Sequence, residues 1–96
     1  MRRAARVDAN HVAVVDALRA VGCRVLSLAA VGKGVADLLI LDRNGALRMF
    51  EVKDGAKPPS GRRLTPDQQR FHRAWPVEIV NSPREAVEKA SYFQRC

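Results

Sequence analysis

The chain has 96 residues, 47% of them hydrophobic and 28% charged. That is enough for one core, which at this size buries roughly two-thirds of the unfolded surface, and too short for a deep cleft between domains. Disorder is excluded by the composition, and no apolar run reaches the ~20 residues of a membrane span.

Seventeen Lys and Arg, thirteen of them arginine, against ten Asp and Glu give a net charge of +7. Arginine suits bidentate contact with phosphate, so nucleic acid is the first candidate partner; a merely soluble basic surface explains the charge equally well. Behind the basic Met1-Arg2-Arg3, the polar Asp8, Asn10, His11 and Asp16 interrupt any leader core. Two cysteines, Cys23 and Cys96, make no disulfide framework, so a reduced, cytoplasmic protein without membrane attachment is expected.

In chain order, residues 8–21 predict a helix with Val12, Val15, Leu18 and Val21 as its stripe and Gly22 as its stop. Residues 23–28 read as a strand. Residues 35–41, VADLLIL, read as a strand buried on both faces. Asp42-Arg43-Asn44-Gly45 is a turn, and residues 46–53 return as a third strand. The segment 54–63 is the longest loop. Thr65-Pro66-Asp67-Gln68 and Ser82-Pro83-Arg84-Glu85 each fit a capping box with proline at the first helical position. The first of these helices runs to about Trp75 and should bury Phe71 and Trp75; a short strand, 77–80, separates it from the second. The order αβββαβα makes an α/β domain over residues 1–96, with a mixed sheet of about four strands flanked by helices.

Chemistry concentrates at one turn. An ionised Asp37 inside an apolar strand is costly unless it is paired or binds metal. A two-residue Asn44-Gly45 loop would send Asp37 and Glu51 to opposite faces. A three-residue loop, Arg43–Gly45 with Gly45 left-handed, sets them opposite each other, ~5 Å apart at Cβ. Two facing carboxylates repel, and a divalent cation removes that cost, so the odd-length loop is expected. Lys53 shares the face of Glu51, where its ammonium could orient water or neutralise a phosphoryl oxygen. An ion pair at a strand end is the plainer explanation.

Gly34-Val35-Ala36-Asp37-Leu38-Leu39, Phe50-Glu51-Val52-Lys53 and Leu64-Thr65-Pro66-Asp67-Gln68, in this order, resemble the PD-(D/E)XK nuclease superfamily. More narrowly, they resemble its small stand-alone VRR-NUC type from phages and bacteria, over nearly the whole chain. The resemblance implies a restriction-endonuclease-like fold and a metal-dependent DNA endonuclease, with branched or junction DNA as a candidate substrate. It implies Mg²⁺ or Mn²⁺ held by Asp37, Glu51 and the Val52 carbonyl, with Lys53 assisting the attacking water and Gln68 completing the site. It also implies a homodimer and, for a phage-encoded chain, the host cytoplasm. The family's proline before the aspartate is Ala36 here.

Other assignments carry alternatives. Gln68 either caps its helix or serves the site. Asp8 reads as an N-cap, although some relatives place an extra acid on the first helix, which makes Asp8 or Asn10 a further candidate. Lys33, in a Gly-Lys-Gly segment without P-loop spacing, and Lys57, Arg62 and Arg63, in the long loop, are candidate phosphate contacts. His72, one turn beyond Gln68, joins them. Two other readings share the fold: a non-catalytic nuclease-fold module for DNA binding or assembly, and a basic accessory protein whose Asp37 and Glu51 merely form ion pairs.

Overall fold

The computed structural model describes residues 9–91; Asp8 and Cys96 lie outside them. Helix α1 (Ala9–Ala20) is followed by strands β1 (Arg24–Ser27), β2 (Leu38–Leu41) and β3 (Leu47–Val52). A short 3₁₀ turn (Pro59–Arg62) leads to helix α2 (Pro66–Ala74), strand β4 (Val77–Val80) and helix α3 (Pro83–Ser91). The sheet order is β1-β2-β3-β4. The first two pairings are antiparallel and β3–β4 is parallel. This is the expected αβββαβα order with a mixed four-stranded sheet. Among the described residues no helix is long and apolar enough to cross a membrane.

One sheet face makes the core. Leu38, Ile40, Phe50 and Val80 are fully buried there with Val14 and Leu18 of α1 and Ala86 and Ala90 of α3. Small alanines on α3 let the two helices approach each other and the sheet closely. Three expectations fail here. Of the predicted α1 stripe, Leu18 is buried and Val15 and Val21 pack against the core, but Val12 is exposed and His11 and Val14 are buried instead. Strand β2 starts only at Leu38 and alternates buried Leu38 and Ile40 with half-buried Leu39 and Leu41, because its antiparallel sheet is packed fully on one face only. Phe71 is half-buried and Trp75 is 54% exposed, since α2 is covered too little to bury any of its residues.

The hairpin between β2 and β3 has the predicted three-residue loop. Asp42 N–H donates to the Ala46 carbonyl at 2.9 Å, and Gly45 is left-handed at φ 83°. Asp42, 4% exposed, holds the turn from inside. Its Oδ1 accepts from the Asn44 and Ala46 amides, and its Oδ2 accepts from Arg48 Nε at 2.8 Å. Arg48 also donates to Glu78 Oε1 on β4 at 3.0 Å, so one ion network ties the loop end of three strands together.

Candidate active site

The hairpin register builds the site. Pairing runs from Leu41↔Leu47 to Leu38↔Phe50, so the next step sets Asp37 across from Glu51. Alternation from the hydrogen-bonded Asp42–Ala46 pair makes this a non-hydrogen-bonded position, where side chains stand closest. Asp37 lies just before β2, with its carbonyl accepting from Leu28 N–H at 2.7 Å. The Lys53 amide donates to Val80 of β4, so the Val52 peptide groups face the opposite edge, toward Asp37. There Asp37 Oδ2 accepts from Val52 N–H at 2.8 Å.

Glu51 is 2% exposed, and its pKa is raised to about 8. Burial is the main cause, followed by the neighbouring Asp37 carboxylate; Lys53 pulls the other way. Its Oε2 accepts from Gln68 Nε2 at 3.1 Å and lies 3.8 Å from Lys53 Nζ. Its Oε1 has no hydrogen-bond partner and faces His72 Nε2, equally unpartnered, at 3.6 Å. Burial and the Lys53 charge hold the His72 pKa below its usual value, against a smaller opposing pull from Asp37.

Gln68 caps its helix and also reaches Glu51 and Lys53. Its Oε1 accepts from Thr65 N–H at 2.9 Å while the Thr65 hydroxyl accepts from Gln68 N–H, closing the capping box. The same oxygen accepts from Lys53 Nζ at 3.2 Å. Gly34 (φ 81°) lets the preceding loop press on this helix start: a Cβ there would stand 2.4 Å from the Asp67 carbonyl carbon.

Asp37, Glu51, Lys53 and Gln68 therefore converge. His72, on the Gln68 face of its helix, turns inward toward Glu51 with a side chain only 12% exposed. Asn10 donates to the Lys53 carbonyl at 2.6 Å and to that of Asn81 at 3.4 Å, clamping the backbone behind the site. Lys33, Lys57 and Arg63 are exposed, whereas Arg62 is spent on the loop itself, donating to the Lys57 carbonyl at 2.9 Å. Sequence reasoning missed the His72–Glu51 contact, for which the four-residue spacing from Gln68 was the available signal. It also missed the Asn10 clamp, for which there was none.

Among the described residues no group of three or more His, Cys, Asp and Glu side chains forms a metal cage. The acidic pair with its orphaned Glu51 Oε1 nevertheless fits a hard divalent cation, whose charge would offset the burial and the Asp37 repulsion that raise the Glu51 pKa.

A solved structure described as a VRR-NUC domain is similar to this chain, with a TM-score of 0.60 and 26% identity over 84% of this chain and 90% of that one. No protein-family model matches the chain, and no curated protein matches its sequence.

Proposed function

We propose that this chain, a VRR-NUC type nuclease domain of restriction-endonuclease-like fold, is a Mg²⁺- or Mn²⁺-dependent endonuclease that hydrolyses DNA phosphodiester bonds, with a preference for branched substrates. The observation that carries the reading is the buried Glu51, set opposite Asp37 and touched by Lys53 and Gln68 on one oxygen while the other has no hydrogen-bond partner. A buried carboxylate oxygen without a hydrogen-bond partner calls for a ligand such as a bound ion or water.

Asp37, Glu51 and the Val52 carbonyl are the groups that would hold the cation, which when bound acidifies water and polarises the phosphate. Lys53 places a partly buried positive charge beside Glu51, where it orients the attacking water or offsets charge developing on the phosphate oxygens. Gln68 keeps Lys53 and Glu51 at fixed spacing from a capped, rigid helix start. The exposed Lys33, Lys57 and Arg63 draw in the backbone without reading bases, so affinity should fall steeply with salt.

We also propose a homodimer, supported by Leu26 and Leu47, exposed on the sheet face opposite the core. Light scattering above the 10.6 kDa monomer mass is expected, and a monomer at working concentration contradicts it. The activity is tested with labelled linear, flap and four-way-junction DNA in Mg²⁺, Mn²⁺ or EDTA. Cutting with metal and none in EDTA is expected. Binding without cutting on every substrate would make the chain a non-catalytic nuclease-fold module.

A further inference from the structure

We propose that Trp75 is a stacking platform for an unpaired nucleobase of the substrate, mounted on the same helix face that closes the active site; the proposal rests on the nuclease reading above. Gln68, Phe71, His72 and Trp75 follow the spacing of one helix face. Gln68 and His72 use that face to reach Glu51, at 3.1 and 3.6 Å. Phe71 stacks on Trp75 with ring centroids 5.7 Å apart and planes within 15°. An inward face should end in a buried residue, yet Trp75 remains 54% exposed.

The ring stands on a rigid mount. Trp75 N–H donates to the Phe71 carbonyl and the Trp75 carbonyl accepts from Val77 N–H, both at 2.9 Å, so the chain passes from α2 straight into β4. Phe71 braces the indole by stacking, and more than half of Trp75 remains open to solvent. Trp75, the C-cap of α2, lies seven positions beyond Gln68, an axial rise of about 10 Å, which is the span of a few nucleotides.

Charge chooses the occupant. Arg73 is exposed on the same helix, beside an Arg70 paired with Asp67, and the chain carries +7, so a second copy docking here would bring like charges together. A polyanion with an exposed base suits both the charge and the flat ring. Bases inside a duplex present no free face, so the ligand class is single-stranded or splayed nucleotides, as at a flap or junction.

Trp75 is the only tryptophan, so its fluorescence reports its own contacts. The test titrates the protein, in EDTA to prevent cutting, with single-stranded, flap and duplex DNA of equal length, following tryptophan quenching and the anisotropy of the labelled DNA. Saturable quenching by single-stranded and flap DNA is expected, and little by duplex. Trp75→Ala should weaken single-strand affinity roughly 5- to 150-fold and duplex affinity less than about 2-fold, with Trp75→Phe retaining most of the binding. If Trp75→Ala fails to fold, the wild-type quenching titration still decides. Single-strand binding without quenching, at wild-type affinity in Trp75→Ala, overturns the platform and leaves the nuclease reading intact. Quenching that rises with protein concentration alone, with a doubled mass, assigns Trp75 to a second copy and also overturns it. Absence of any DNA binding overturns both readings together.

Discussion

Gln68 Nε2 donates to Glu51 Oε2 at 3.1 Å while the oxygen of the same amide accepts from Thr65 N–H and closes the cap of α2. One side chain therefore fixes the start of a helix and one oxygen of the buried carboxylate. The two functions separate by substitution. Gln68→Glu keeps an acceptor for Thr65 N–H but loses the donor to Glu51 and adds a like charge. Gln68→Ala loses both and should cost about 0.5–2 kcal/mol in urea unfolding, more than Gln68→Glu. Both variants should cut DNA far more slowly than wild type.

Gly34 and Gly45 share a left-handed backbone, with φ of 81° and 83°, but not their surroundings. A Cβ at Gly45 meets nothing within 4 Å, whereas one at Gly34 runs into the Asp67–Gln68 backbone. Gly45→Ala should cost only the left-handed strain, ~1–2 kcal/mol. Gly34→Ala should lower the thermal midpoint further and abolish cleavage, because it displaces α2 and with it Gln68 and His72. Equal losses of stability and activity in the two variants would show that the helix start is not held by that loop.

The buried Glu51 should destabilise the metal-free protein. An unfolded glutamate titrates near ~4.3, whereas the folded one holds its proton to about 8. Between these values the folded state binds more protons, so the stability contribution of Glu51 falls as pH rises from ~4.3 to about 8 and is flat above. Glu51→Gln keeps the shape without the charge. In EDTA it should raise the melting temperature, more at pH 8 than at pH 5, while cleavage is lost. A melting temperature lowered at both pH values would contradict the assigned burial cost.

Asp42 has the opposite sign. Burial alone would raise its pKa, but the Arg48 hydrogen bond, the Ala46 and Asn44 amides and the Arg48 charge together hold it below the usual value. The stability it contributes is present above the unfolded pKa of ~3.9 and is lost as pH falls through the lower folded value. Acid unfolding monitored by circular dichroism should therefore begin below pH ~4. Asp42→Asn should flatten that limb at a cost of roughly 1–3 kcal/mol at neutral pH.

Much of this was legible in the chain. The three-residue loop that a left-handed Gly45 allows sets the hairpin register, and with it the Asp37–Glu51 pairing. Thr65-Pro66-Asp67-Gln68 marked its helix start because a capping box is a local arrangement. Only Val12 of the α1 stripe falls outside, because Val12, Val14 and Val15 fit two neighbouring faces and only packing against α3, β1 and β3 chooses between them. Asp42 reads as a turn residue, and nothing local says that Arg48 and Glu78 will bury it. The exposure of Trp75 was hidden for a related reason: a helical apolar pattern implies burial only where another element arrives to cover it.

The most direct test is single-turnover cleavage of a labelled flap substrate at saturating Mn²⁺, comparing wild type with Lys53→Ala after both are shown to be folded. The Lys53 ammonium contacts both Gln68 and Glu51, so the account predicts near-wild-type DNA affinity with a cleavage rate lower by about two orders of magnitude or more. Cleavage by Lys53→Ala at the wild-type rate would contradict the catalytic centre proposed for this fold.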